Sequence, residues 1–170
     1  MTDISDITKL IPEYQIPEGD ILLADSLEEL QELNDRARPD DALLRVGLRL
    51  IPDSYDRADL SGIRVSELSD LAPKARSLKA VTVRGCFVRG NLEGLHGKAL
   101  GKYFSACYQS AKIMSAAIPC AIPYLCVEGG LAALAANQKE HPETLQDALT
   151  AAQTVAMQNE TAFYAKLLIT

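Results

Sequence analysis

The sequence predicts an α/β fold built on a parallel sheet. Three observations carry that reading. Short apolar runs alternate with longer segments whose apolar residues recur at helical spacing. Each run closes on a polar or glycine-bearing loop, and the strand–helix rhythm repeats four times before a final apolar run. With 170 residues, 48% of them hydrophobic and 24% charged, the chain suits one domain with a substantial core.

Residues 1–20 hold Pro12, Pro17 and Gly19 without a clear period and read as an N-terminal arm. The domain proper spans 21–170. Ile21 to Ala24 is a short apolar run of the kind that is buried on both faces as a strand. Ser26 and Glu29 then form a capping box that opens a helix. Leu27, Leu30, Leu33 and Ala37 lie on its apolar face, and Pro39 stops it. Leu43 to Ile51 is the second strand, closed by Pro52-Asp53-Ser54, and a polar loop runs to about Gly62. Leu68, Leu71, Ala72, Ala75 and Leu78 mark a second helix; Pro73 is expected in its first turn, which places the start near Asp70. Ala80 to Val88 is the third strand.

The longest helix follows. Ala99, Leu100, Tyr103, Phe104, Cys107, Ala111, Met114 and Ile118 form one stripe, and Pro119 ends it. Ile122 to Val127 is the fourth strand, closing on Glu128-Gly129-Gly130. Pro142 opens the fourth main helix, with Leu145, Ala148, Leu149, Ala152, Val155 and Ala156 on one face. Phe163 to Thr170 is the closing strand. About five parallel strands and four main helices make half of an eight-unit TIM-type β/α barrel, which needs about 250 residues when whole. The alternative is an open, doubly wound sheet. A half barrel exposes two sheet edges and one face, so the chain is expected to form a homodimer or to pair with a complementary half-barrel chain.

The net charge of −6 and the absence of a basic stripe argue against a nucleic-acid role. The weakly polar stretch from Ser115 to Ala136 is broken by prolines and glycines, so no membrane span is expected, and the first residues do not read as a signal peptide. Cys86, Cys107, Cys120 and Cys126 form no C-x-x-C pair and read as free buried thiols of a cytoplasmic protein. His96 and His141 stand far apart in the sequence without ligand-like neighbours, so no metal site is expected.

Three segments carry a resemblance to a known family. They are Arg45 to Asp53, Val83 to Leu92, and Tyr124 to Leu131. In order and spacing they resemble the pyridoxal-phosphate (PLP) decarboxylases of the diaminopimelate/ornithine type, which have the alanine-racemase-like barrel. The family's "LRINPD" strand falls on Leu48 to Asp53, and its "FGI" on Ser61-Gly62-Ile63. Its "GLHCHIGSQL" falls on Val83 to Leu92. The resemblance then puts Phe87 where the family's ring-stacking histidine lies. It puts Gly90 at the phosphate-contacting serine and Arg89 at the glycine before it. The glycine triplet of "LDLGGGL" falls on Glu128-Gly129-Gly130, its first glycine replaced. The family's "EPGR" would follow Thr170, its Schiff-base lysine would precede this segment, and its C-terminal β-domain is not represented.

By that resemblance the cofactor-binding positions are Gly129, Gly130, Phe87, Gly90 and Arg89, with PLP as the implied cofactor and a carboxy-lyase as the implied activity. PLP chemistry needs a lysine, a phosphate cradle and a partner for the ring nitrogen. Gly129 and Gly130 at a helix start offer N–H groups to a phosphate, while Glu128 beside them repels one. Arg89 either offsets that repulsion or pairs with Glu128; pairing is the favoured reading. Phe87 is expected to fill the core, with ligand stacking as the alternative. Arg49 is expected to pair with an interior carboxylate, the alternative being an acidic ligand at the barrel mouth. Lys79, Lys98, Lys102 and Lys166 do not fall at the Schiff-base position. No catalytic residue is assigned. The expectation is therefore a fragment-like homologue without independent activity that acts as a remnant or regulatory partner. The alternatives are a subunit of a split decarboxylase and a small-ligand binding protein.

Overall fold

In the computed structural model the described residues are 22–40, 43–89, 92–118, 124–159 and 166–169. The expected N-terminal arm lies outside them. Along the chain run β1 (Leu22–Ala24), α1 (Leu27–Ala37), β2 (Leu44–Ile51), β3 (Ile63–Arg64), α2 (Leu68–Ser77), β4 (Val81–Val88), α3 (Lys98–Ala117), β5 (Tyr124–Val127), α4 (Gly130–Asn137), α5 (Thr144–Asn159) and β6 (Lys166–Ile169). All strand pairs are parallel, and the sheet order is β1-β2-β4-β5-β6 with β3 beside β2.

That order decides between the two architectures left open by the sequence. A doubly wound sheet reverses its strand order at a switch point. Here each strand is laid beside the one before it, apart from the two-residue β3, which continues the β1 edge of β2 past the point where β1 ends. Sequential parallel strands with helical crossovers are how a β/α barrel is wound. The structure is an open arc of such a barrel.

Local chemistry explains the boundaries. The Ser26 hydroxyl accepts from the Glu29 N–H at 3.1 Å and caps α1. Glu29 reaches back to the N–H of Asp25 at 2.7 Å rather than to that of Ser26, so the box is closed one residue early. Such a cap contributes about 1 kcal/mol. The helix α2 starts earlier than its proline suggests. A 3₁₀ turn over Val65–Glu67 leads directly into it, and Pro73 lies inside the helix. The N–H that Pro73 lacks would have met the carbonyl of Ser69. Both residues are exposed, so water can serve that carbonyl. The segment after β5 holds two helices, a short α4 and the longer α5, in place of the one main helix expected from Pro142.

The two sheet faces differ. Val46, Leu48 and Leu50 of β2, Val83, Cys86 and Val88 of β4, and Leu125 and Val127 of β5 pack against the helices. There they meet Leu30, Leu68, Leu71, Leu100, Tyr103, Phe104, Cys107 and Met114, each fully buried aliphatic side chain contributing about 1.5–3 kcal/mol. The opposite, inner face is built in rows. Gly47 pairs with Gly85, and above them Arg49, Phe87 and Cys126 lie in register. A Cβ on Gly47 would meet the Phe87 ring at 2.4 Å and Leu23 at 2.9 Å. The ring therefore occupies the space the glycine leaves, and Phe87 is buried as expected of a core residue. Cys86, Cys107 and Cys126 are buried and form no disulfide among the described residues; Cys120 lies outside them. Burial pushes the Cys107 thiol up to about 12, which keeps it protonated and unreactive.

Candidate functional site

In β/α barrels the functional groups gather where strands end and their following loops begin. Four side chains do so here. Asp25 follows β1 directly, Arg49 stands near the end of β2, Arg89 follows β4 and Glu128 follows β5. The sheet ladder continues past the strand ends, because Arg89 N–H donates to the Leu50 carbonyl at 2.8 Å and Glu128 N–H to that of Val88 at 3.3 Å. These bonds fix both residues at the rim.

Arg49 bridges the two carboxylates. Its Nε donates to Glu128 Oε2 at 2.9 Å and Oε1 at 3.1 Å, and its Nη1 donates to Asp25 Oδ1 at 2.8 Å. Because Glu128 follows β5, the guanidinium must reach over β4, passing above the row that holds Phe87. Arg89 lies 3.7 Å from Asp25 and 3.6 Å from Glu128. Ser61, from the loop before β3, donates to Asp25 Oδ2 at 2.7 Å and accepts from Arg89 Nη1. Two cations and two anions therefore neutralise each other in one network.

The network is partly shielded, with side-chain exposures between 18% for Asp25 and 31% for Arg89. Burial alone would raise the Asp25 carboxyl. Hydrogen bonds from Arg49 and Ser61 and the charges of Arg49 and Arg89 outweigh it, and hold the group below the usual carboxylate range. Burial alone would lower the Arg49 guanidinium, but Asp25 and Glu128 hold it above its ordinary value.

The positions singled out in the sequence fall as follows. Arg89 pairs with Glu128, as expected, while the carboxylates that pair with Arg49 are those of Asp25 and Glu128, which stand at the partly exposed rim and not in the interior. Gly129 caps α4 with φ 73°, a left-handed conformation that favours glycine, and Gly130 is the first residue of that helix. Gly90 lies outside the described residues. Lys79 is exposed ahead of β4, Lys98 and Lys102 line an open groove between α3 and α5, and Lys166 is the first residue of β6. Among the described residues no lysine joins the strand-end network.

Asp25 and Ser61 were not predicted as network members. An acid directly after an apolar run was the available signal for Asp25; nothing marked Ser61 beyond its place before Gly62. The reading of His96 and His141 as separated residues is corrected by the structure. Their rings are stacked with centroids 3.8 Å apart, because the loops that carry them precede α3 and α5, two helices that pack together.

No protein-family model and no curated protein matches the chain. Solved structures do. A diaminopimelate decarboxylase from M. jannaschii, in complex with L-lysine, superposes with a TM-score of 0.65 at 15% identity, over 88% of this chain and 37% of that one. The arginine decarboxylase of Paramecium bursaria Chlorella virus gives 0.62 at 15% identity, over 99% and 42%. PipY of Synechococcus elongatus, solved without PLP, gives 0.56 at 14% identity, over 99% and 65%. The likeness is one of fold. This chain shares the fold of part of the decarboxylase barrel and spans less than half the length of either decarboxylase. None of its described helices is long and apolar enough to cross a membrane.

Proposed function

We propose that this chain is a non-catalytic relative of the PLP-dependent amino-acid decarboxylases, a partial barrel that acts by pairing with a second copy or with a complementary barrel chain. The observation that carries this reading is the closed network of Asp25, Arg49, Arg89 and Glu128 at the strand ends. Its charges are spent on one another, which leaves little to attract a phosphate or an amino acid.

The residues present fit PLP poorly. Glu128 puts a carboxylate at the residue before the Gly129 cap of α4, where a phosphate dianion would need N–H donors. The Phe87 ring is packed into the space above Gly47 instead of standing free to stack on a ligand. Phe87, Arg89, Gly129 and Gly130 then serve the fold rather than a cofactor. The open sheet supports the pairing half of the proposal. Among the described residues β6 pairs only with β5, and β1 only with β2. Unpaired parallel edges are covered in stable proteins.

Two measurements on the full chain test the reading. With PLP added and borohydride applied, mass spectrometry is expected to find no lysine-bound pyridoxyl group; a stoichiometric adduct on one lysine overturns the non-catalytic reading. Size-exclusion chromatography with light scattering is expected to give twice the chain mass. A monomer that also fails to associate with a decarboxylase-type barrel overturns the pairing.

A further inference from the structure

Two loops meet on the surface beside the starts of α3 and α5. One leads into α3 and carries His96; the other leads into α5 and carries His141 and Glu143. The imidazoles stack at 3.8 Å between centroids with 19° between their planes. Glu143 Oε1 lies 3.9 Å from His141 Nδ1. One ligand atom from each of the three residues falls within 4.8 Å of the other two. We propose that His96, His141 and Glu143 form a binding site for a divalent transition-metal ion of the zinc type, a clip between the two loops.

The donor set selects the class of ion. Two imidazoles and a carboxylate suit zinc, nickel or copper and suit magnesium or calcium badly, since the latter take oxygen donors. Three protein ligands leave a position for water, the pattern of an open zinc site. Bond lengths of about 2.0–2.2 Å around a tetrahedral ion put ligand atoms about 3.3 Å apart. Closing the present set onto one ion therefore shortens the ligand-atom separations by roughly 1.5 Å at most and turns the stacked rings so that their in-plane nitrogen lone pairs converge, both within reach of side-chain rotation. His96 and Glu143 are exposed and His141 is half-buried, so those rotations displace no core.

The backbone beneath is held more firmly than an ordinary surface loop. Asn137, which is buried, donates to the carbonyls of Leu92 and Leu95 at 2.7 and 3.1 Å and accepts from Gly94 N–H at 2.8 Å. Its own carbonyl accepts from His141 N–H at 2.9 Å. Asn137 thus ties the His96 loop, through its side chain, to the His141 loop, through its backbone carbonyl. The positive end of α3 would oppose a cation. Asp147 offsets it by accepting from Gly97 N–H at 3.0 Å. The loops and first helical turns also carry Glu93, Glu140 and Glu143 against Lys98 and Lys139.

The test uses the full chain freed of metal by chelation. Titration with Zn²⁺ followed by calorimetry is expected to show one ion per chain. His96→Ala and His141→Ala should each weaken binding by about tenfold or more, and Glu143→Gln by less. Co²⁺ should give visible absorption bands without the charge-transfer band of thiolate ligands, which excludes the cysteines as the source. Zn²⁺ should also protect both histidines of the unsubstituted chain from diethylpyrocarbonate, a readout independent of whether the variants fold. Absence of stoichiometric binding, a thiolate band, unchanged affinity in both histidine variants, or undiminished histidine modification overturns the proposal.

Discussion

Replacing Arg49 by Met removes the guanidinium that donates hydrogen bonds to both carboxylates of the strand-end network. The stem volume is largely kept, so the change is electrostatic. At 2.8 Å and an effective dielectric of 20, the gross attraction of one such pair is about 6 kcal/mol. Most of it is cancelled by desolvation and by repulsion between Asp25 and Glu128. Exposed pairs contribute about 0–1 kcal/mol, and breaking a buried one costs about 3–5 kcal/mol. Side-chain exposures near one-fifth place Arg49 between those limits, so the variant is expected to lose about 2 kcal/mol near neutral pH.

The pH dependence fixes the cause. Asp25 has a lowered pKa in the folded protein. Its contribution is present above the unfolded carboxylate value of about 3.9 and is lost as pH falls through the lower folded value. In the variant the main hydrogen bond that lowers it is gone, and burial then favours the protonated acid. The stability gap between the two proteins should therefore shrink as the solution is acidified. Urea denaturation of both proteins across the acid range, with equal slopes, measures it. A gap below about 0.5 kcal/mol at neutral pH, or one that widens in acid, would refute the reasoning.

Two further substitutions probe the packing. Gly47→Ala places a methyl group 2.4 Å from the Phe87 ring; it is expected to cost about 1–3 kcal/mol in urea denaturation, and Phe87→Leu in the same chain should recover part of that loss. Asn137→Ala strips hydrogen bonds from Gly94 N–H and from the Leu92 and Leu95 carbonyls. It should destabilise by about 2–3 kcal/mol and speed amide exchange at Gly94.

The scaffold was legible in the sequence because its signals are local. Ser26, the Ala99 to Ile118 stripe and the apolar runs each report on neighbouring residues. The inner face was less legible. Gly47 and Gly85 lie opposite each other only once β2 and β4 pair, with a register shift between Val46 and Gly47 that no pattern announced. Pro73 misplaced the start of α2, since proline is tolerated inside a helix when the carbonyl it orphans faces water. The pairing of Arg49 and Arg89 followed from charge, but their partners Asp25 and Ser61 come from other loops. The His96–His141 stack was hidden for the same reason: it depends on α3 lying against α5.

The strand-end network also has a kinetic side. Its charged members come from four segments between Asp25 and Glu128, so it is completed only when β1, β2, β4 and β5 have all found their register. If contacts that need so much prior order form after the folding barrier, Arg49→Met is expected to speed unfolding more than it slows folding, which stopped-flow rates in urea check. The network would then work as a latch that sets how long the assembled arc persists.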